Sequence, residues 1–143
     1  MATAKEEAVR VFLALMHTDK LDLVRIRACL AEDARYQPIV PLSAPVRGAD
    51  RICAELERQY ALYKDCACEI LNIASAGKTV FTERVDRVRQ RSTNSETITH
   101  VAGLFDLDAD NRIVWWREYW DALDIADQIG VSGDEMKAIM KTA

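Results

Sequence analysis

The sequence predicts one α+β domain, residues 1–143, in which a curved antiparallel or mixed sheet forms a cone and N-terminal helices cover a deep pocket. Three observations predict this fold. The chain has 143 residues, a common size for a single domain. Up to about residue 63 its apolar residues recur at three- and four-residue steps, as in amphipathic helices, and afterwards they alternate, as in strands. Helices followed by a run of strands are typical of α+β proteins.

Helical periodicity is found in the N-terminal part of the chain and again at its end. It predicts helices at residues 6–17, 21–30, 49–63 and 122–140. A break at residues 18–20 makes the first two a hairpin, and the last helix is expected in two pieces, broken between Gly130 and Gly133. An extended segment carrying Tyr36 is predicted at residues 31–38, because the residue before Pro38 avoids helical backbone. A loop containing all three prolines of the chain then ends at Gly48.

Four long strands are predicted in the second half of the chain, at residues 66–74, 80–89, 97–107 and 112–120. Gly77–Lys78 and residues 108–111 have the composition of tight turns, and residues 91–96 form a longer polar loop. Curled against a helical layer, such a sheet leaves a cavity between the strands and the helices.

Composition narrows the classes of function. The net charge of −4 argues against a nucleic-acid partner, since binding phosphates requires a basic face. No run of 18 apolar residues is present, so no membrane-spanning helix is expected. The first residues, Met1 to Glu7, lack the basic start and apolar block of a signal peptide, which favours a cytoplasmic protein. Cys66 and Cys68 do not match the spacing of common zinc sites and no nearby histidine completes a set, so packing cysteines, and no metal or cofactor, are expected.

Alternation along two strands predicts the site. Arg84 and Asp86 share one face with Thr82 and Val88. On the last strand, Trp116, Glu118 and Trp120 share a face. A carboxylate between two tryptophans loses water, which raises its pKa unless a cation compensates, and Arg84 is that cation. One arginine bridging two carboxylates can keep one ionised and the other protonated, which separates a base from an acid.

An ion-pair ladder on a solvated sheet face is the alternative interpretation, although two tryptophans on such a face are unusual. The expected pocket residues, besides the charged groups, are Trp116, Trp120, Val88, Thr99, Val101, Phe12 and Met16. For the helix residues Phe12, Leu15 and Met16, a place in the core is the alternative to the pocket wall. His17 is expected to be structural at a helix end, His100 to point away from the pocket, and Asp121 to cap the last helix.

The segments Thr82-Glu-Arg-Val-Asp86 and Trp116-Arg-Glu-Tyr-Trp-Asp121 together resemble the limonene-1,2-epoxide hydrolase family, within the superfamily of ketosteroid isomerase and nuclear transport factor 2. The resemblance covers most of the chain, including Ala31-Glu-Asp33, Tyr36 and Gly103-Leu-Phe105.

This resemblance implies a one-step hydrolysis without metal or cofactor. A water held by a carboxylate and by Tyr and Asn side chains attacks an epoxide carbon, while a protonated carboxylic acid donates to the epoxide oxygen. Carried over, Glu118 is the base, Asp86 the acid, Arg84 the bridge between them and Tyr36 a holder of the water. The substrate class implied is a small apolar epoxide, terpene-like or cyclic.

Two positions depart from the family pattern. Glu118 stands where the family has Asp, and Pro38 stands where it has Asn. These departures leave open an isomerase or epoxide-opening cyclase that uses the same pocket. A non-catalytic ligand-binding or dimerisation module also stays open, because the superfamily that the chain resembles often serves as a binding scaffold. The apolar outer-face residues Val85, Trp115 and Tyr119 predict a homodimer through that face of the sheet.

Overall fold

The computed structural model describes residues 1–141; the last two residues of the predicted domain, 142 and 143, lie outside the described residues. The N-terminal helices are α1 (Ala4–Met16), α2 (Leu23–Ala28) and α3 (Ala49–Tyr60). The strands are β1 (Leu30–Gln37), β2 (Val46–Arg47), β3 (Tyr63–Ala76), β4 (Thr79–Gln90), β5 (Glu96–Leu107) and β6 (Ile113–Trp120). The C-terminal helices are α4 (Ala122–Ile129) and α5 (Gly133–Lys141). Within residues 1–141, no helix is both long enough and apolar enough to cross a membrane.

Side-chain caps determine where several helices begin. The Thr3 hydroxyl accepts a hydrogen bond from the Glu6 amide at 3.1 Å at the start of α1. The Asp121 carboxylate accepts hydrogen bonds from two amides of the first turn of α4, which confirms its predicted role as a cap. Gly130 ends α4 in the left-handed conformation, with φ of 76°, so the break predicted there is also confirmed.

The six strands form one curved, unclosed mixed sheet in the order β2-β1-β6-β5-β4-β3, which confirms the predicted fold class. The β1–β6 pair is parallel and the other pairs are antiparallel. The segment predicted as extended is β1, and the two-residue strand β2, in the proline loop, was not predicted. A strand of only two residues is too short to show the alternation of apolar and polar residues by which strands are recognised in a sequence.

Two predicted helices are longer than those observed. The helix expected at 21–30 starts only at Leu23, because Asp22 caps it, and it ends before Leu30, which pairs with Ile113 of β6. The helix expected to reach residue 63 ends at Tyr60, because the Leu62 carbonyl accepts a hydrogen bond from the Arg91 amide and Tyr63 pairs with Gln90. Tertiary pairing with the sheet decides both boundaries.

The main core lies between the inner face of the sheet and helices α1 and α3. Its members are apolar and buried, and they include Val9, Phe12, Leu13, Met16, Ile52, Leu56, Phe105 and Trp116. A smaller apolar cluster, built on Ile125, Ala126 and Met136, joins α4 to α5 and touches Trp120. The space between the two clusters is where the pocket opens.

Candidate active site

Three charged side chains meet on the inner face of the sheet. Arg84 is 2% exposed, and its Nη2 lies 2.7 Å from Glu118 Oε1 and 2.9 Å from Asp86 Oδ2. Its Nη1 donates to Glu118 Oε2 at 3.1 Å, and its Nε donates to Asp86 Oδ1 at 3.3 Å. One guanidinium therefore holds two carboxylates, each through two oxygens.

Strand register explains how the arginine fits beneath its neighbours. Gly103 of β5 lies directly opposite Thr82 on one side and Glu118 on the other. A Cβ at this glycine would lie 2.5 Å from Glu118 Oε2 and still closer to Arg84 Nη1. Gly103 therefore leaves the space in which the arginine and the glutamate meet. Thr82 completes the packing, since its hydroxyl accepts from Arg84 Nη1 at 3.3 Å and donates to the Gly103 carbonyl at 3.1 Å.

Burial and neighbouring charge act in opposite directions on the pKa of Glu118 and on that of Arg84, the two most buried of the three charged groups. Burial raises the pKa of Glu118, and the opposing effect of Arg84 offsets this only in part. Burial alone would lower the pKa of Arg84, but Glu118 and Asp86 raise it well above its usual range. The arginine therefore stays charged, while Glu118 is poised to take up a proton more readily than a glutamate in water.

Tyr36 enters the site through the parallel pairing of β1 with β6. It lies opposite Trp116, and the two rings stack with centroids 3.8 Å apart. Its hydroxyl is within hydrogen-bond distance of the Gln59 side-chain amide, at 3.4 Å. Burial raises the pKa of Tyr36, and the negative charge of Glu118 adds to this, so the phenol remains protonated and can donate.

The two tryptophans beside Glu118 differ in their hydrogen bonding. Trp120 Nε1 donates to the Pro38 carbonyl at 2.8 Å. Trp116 Nε1 is buried and has no hydrogen-bond partner among the described residues. It lies near the Glu118 carboxylate, where it acts to lower the pKa of that group, without reaching hydrogen-bond geometry. The site thus contains an unused N–H donor next to the carboxylate.

A cavity of about 340 Å³ opens above these groups. Its charged end is formed by Arg84, Asp86 and Glu118, and its walls are mostly apolar or aromatic. Of the residues predicted from the sequence for the wall, Trp116, Trp120, Val88, Thr99, Val101 and Met16 line the cavity. His100 is exposed on the opposite face of β5.

Phe12 is the predicted pocket residue that the structure places elsewhere. It is fully buried, and its ring contacts Phe105 and Trp116 edge-on, at centroid distances of 6.3 and 5.0 Å. The prediction was wrong because both Phe12 and Met16 lie on the buried side of α1, and only the residue one turn later reaches the open end of the sheet. Phe12 therefore packs against the Trp116 ring from the side of the core.

Several polar residues of the cavity were not predicted, and among them Gln59 and His17 lie close to the charged groups. Gln59 comes from α3, and the only signal for it in the sequence is a polar residue beside Tyr60 on a helix with an apolar face. His17, expected to be structural, lines the cavity, and its Nε2 is 3.8 Å from Asp86 Oδ1. Burial lowers the pKa of His17 although Asp86 acts to raise it. No local pattern indicates that a residue at the end of α1 meets β4.

The C-terminal helices supply a further part of the wall that was not assigned from the sequence. Ile125 and Ile129 of α4 and Met136, Ile139 and Met140 of α5 line the cavity. Their side chains add an apolar part to the cavity wall.

Solved structures of similar shape come from several proteins. An LEH-like epoxide hydrolase of M. tuberculosis is 28% identical, with a TM-score of 0.74 over 87% of each chain. A hypothetical protein of ketosteroid isomerase-like fold from Catenulispora acidiphila, solved with trimethylamine, is 18% identical, with a TM-score of 0.75 over 90% of this chain and 95% of that one. The epoxide hydrolase/cyclase-like enzyme SalBIII, which acts in pyran ring formation in salinomycin, is 14% identical, with a TM-score of 0.74 over 84% of this chain and 92% of that one. The last two likenesses show the fold alone.

The sequence itself gives the more specific match. A family model described as the limonene-1,2-epoxide hydrolase catalytic domain matches residues 3–130, which include β1, β4, β5 and β6 with all the charged groups of the site. By this match the chain belongs to the limonene-1,2-epoxide hydrolase family.

Proposed function

We propose that this protein hydrolyses a small apolar epoxide by adding water in one acid–base step, without a cofactor. The observation that carries the proposal is the single buried guanidinium of Arg84, held between two carboxylates at the floor of an apolar cavity. A terpene-like or cyclic epoxide suits this cavity, because about 340 Å³ lies at the small end of the usual range for ligand pockets.

The chemistry needs one carboxylate and one carboxylic acid. In the proposed step Glu118 removes a proton from water, whose oxygen bonds to an epoxide carbon. The carbon–oxygen bond of the ring breaks, and Asp86 gives its proton to the epoxide oxygen. With one carboxylate ionised and the other protonated, the charge of Arg84 is balanced both before and after the step, because the proton only changes places between the two acids. The raised pKa of Glu118 supports its role as the base, because a base near the working pH transfers protons efficiently.

Gln59 and Tyr36 are the proposed holders of the attacking water. Pro38 has no side-chain amide, and its carbonyl already accepts from Trp120. The Gln59 amide is within 3.4 Å of the Tyr36 hydroxyl and comes from a different element than the family's Asn. The unpaired Trp116 N–H next to Glu118 offers one more donor to a water at this place.

Incubation with a cyclic terpene epoxide and with a styrene-type epoxide in H₂¹⁸O tests the proposal. The expected product is a diol carrying one ¹⁸O, and the variant Asp86→Asn should form it at least about 10²-fold more slowly. Glu83→Gln is the matched control, since Glu83 lies on the same strand but faces outward. An unlabelled product, or an unchanged rate for Asp86→Asn, would contradict the proposal.

A second candidate function is an epoxide-opening cyclase or isomerase, and the observation that favours it is Pro38 in place of a water-holding amide. In that case a hydroxyl of the substrate replaces water as the nucleophile. The product then carries no oxygen from the solvent, so the same labelling experiment separates the two reactions. A non-catalytic binding role would fit a Glu118 side chain that is exposed to solvent. The observed side chain is only 8% exposed, which argues against that role.

We also propose, from the sheet's outer face, that two copies of the chain associate. Tyr119 is 41% exposed and Phe81 43% exposed on that face. Trp115 is instead partly covered by the Arg35 guanidinium, 4.3 Å from its ring centroid. Sedimentation at micromolar concentration should show a dimer, and a monomer there would refute this part.

A further inference from the structure

Three side chains with metal-binding atoms converge beside the cavity, which two of them, His17 and Asp86, also line. His17 Nε2, Cys68 Sγ and a carboxylate oxygen of Asp86 all lie within 4.8 Å of one another. They come from the end of α1, from β3 and from β4. Cys68 and Asp86 are opposite each other in the sheet register, and α1 packs across these strands. None of the roles proposed above uses His17 or Cys68.

The imidazole of His17 is oriented in the way that metal-binding histidines usually are. Its Nδ1 lies 2.6 Å from the Leu13 carbonyl, an acceptor that requires the proton to be on Nδ1. The lone pair of the neutral ring is then on Nε2, which faces Asp86 at 3.8 Å. A backbone carbonyl that fixes the tautomer and the ring plane is the usual outer partner of a histidine ligand. The side chain is also 8% exposed, so little rotation is available to it.

Arg84 holds the two oxygens of Asp86 unequally. Arg84 holds Oδ2 at 2.9 Å but approaches Oδ1 only to 3.3 Å, and Oδ1 is the atom facing His17. The charge of Arg84 is offset by Glu118, with which it forms its shortest contact. The cation next to the cluster therefore does not prevent a second cation from binding.

The donor set and its spacing fit zinc. Imidazole nitrogen, thiolate sulfur and carboxylate oxygen are the three kinds of ligand that zinc takes in proteins. Bonds of about 2.0 to 2.3 Å in a tetrahedron place two ligand atoms about 3.3 to 3.8 Å apart. The His17–Asp86 separation of 3.8 Å lies at that limit, and the widest separation, up to 4.8 Å, closes with about 1 Å of side-chain movement.

We propose that His17, Cys68 and Asp86 bind one Zn²⁺ ion, with a fourth position open to the cavity. Three protein ligands and one exchangeable position are the arrangement in which zinc also accepts a water or a small ligand. The ion must displace the thiol proton of Cys68 and draw the three groups together, so its affinity is below that of a preformed structural site.

Zinc at this place changes what Asp86 can do. A carboxylate oxygen bound to a metal ion cannot hold the proton that the epoxide oxygen needs, so zinc and epoxide opening exclude each other. This consequence, inhibition by zinc, rests on the proposed function; the binding of the ion does not.

Cobalt is the probe for the site, because tetrahedral Co²⁺ absorbs visible light and a Co–thiolate bond adds a charge-transfer band in the near ultraviolet. Tag-free protein titrated with Co²⁺ should show both bands, saturating at one ion per chain and disappearing when Zn²⁺ is added. Cys68→Ser should lose the charge-transfer band, and His17→Gln should weaken Co²⁺ binding at least about tenfold. Cys66→Ser is the matched control, since Cys66 is half-buried on the same strand but outside the cluster, and it should keep both bands.

Circular dichroism of each variant shows that it is folded before the titration is interpreted. Absence of the bands in the wild-type protein, or bands that survive in Cys68→Ser or vanish in Cys66→Ser, overturns the proposed site. Where an epoxide is hydrolysed, Zn²⁺ should inhibit the wild-type protein at least about tenfold more strongly than Cys68→Ser. If no epoxide is turned over but the cobalt bands follow the predicted pattern, the proposed function fails while the metal site stands.

Discussion

Replacing Arg84 by methionine tests whether the site is an arginine clamped between two acids. Methionine is unbranched and uncharged and replaces only the arginine stem, so the substitution removes the ion pairs and leaves a small space where the guanidinium was. Glu118, 8% exposed, is then left without its cation, and Asp86, 18% exposed, loses part of its compensation. Removing one partner of a buried ion pair costs about 3–5 kcal/mol, which is a large share of the roughly 5–15 kcal/mol by which a domain is usually stable.

The expected loss for Arg84→Met is about 3 kcal/mol, at the low end of that range, because Glu118 can take up a proton instead of remaining charged. The native pKa of Glu118 is already raised above its unfolded value. A group with a raised native pKa stabilises the folded protein while it holds its proton at low pH. This contribution to the free energy of unfolding is lost as the pH rises through the native pKa. The loss caused by Arg84→Met should therefore shrink as the pH is lowered.

The double variant Arg84→Met/Glu118→Gln isolates the cause. Glutamine keeps the shape of Glu118 without the charge. The free energy of unfolding of the double variant should therefore exceed that of Arg84→Met by at least about 1 kcal/mol. Arg87→Met is the control, since Arg87 lies on the outer face of the same strand, 46% exposed and 3.7 Å from Glu96, and exposed pairs contribute less than about 1 kcal/mol. Urea unfolding followed by tryptophan fluorescence measures all three at several pH values. A loss below about 1 kcal/mol for Arg84→Met, or a double variant no more stable than the single one, would refute the buried-charge reasoning.

Further predictions concern Gly103, Gln59 and Glu118. Gly103→Ala should lower the free energy of unfolding by about 2 kcal/mol, because its Cβ would meet Glu118 Oε2 at 2.5 Å. Urea unfolding measures this loss, and an unchanged free energy of unfolding would mean that the strands shift freely to make room. Gln59→Leu should slow formation of the labelled diol about tenfold without changing stability by more than about 1 kcal/mol, and an unchanged rate would remove Gln59 from the water site. The acid limb of kcat/KM should lie above 4.5, the ordinary pKa of a glutamic acid, because burial raises the pKa of Glu118 and only the ionised base is active; a plateau extending below that pH argues against Glu118 as the base.

The sequence by itself determined the helices, the long strands and the faces of those strands, but not the two-residue strand β2. Side chains alternate strictly along a strand, so Arg84 and Asp86 had to share a side, as did Trp116, Glu118 and Trp120, wherever the strands lay. Helical periodicity and the glycine break similarly predicted the five helices within a few residues of the bounds observed in residues 1–141. These properties depend only on local backbone geometry, which neighbouring residues decide.

The meeting of residues far apart in the chain was decided by the tertiary structure alone. The parallel pairing of β1 with β6 stacks Tyr36 on Trp116, and the packing of α3 brings Gln59 to the Tyr36 hydroxyl. Likewise, the angle of α1 across the sheet buries Phe12 in the core and carries His17 to Asp86. Such contacts depend on strand register and helix packing, which are set by the whole core at once, so no local pattern of residues records them.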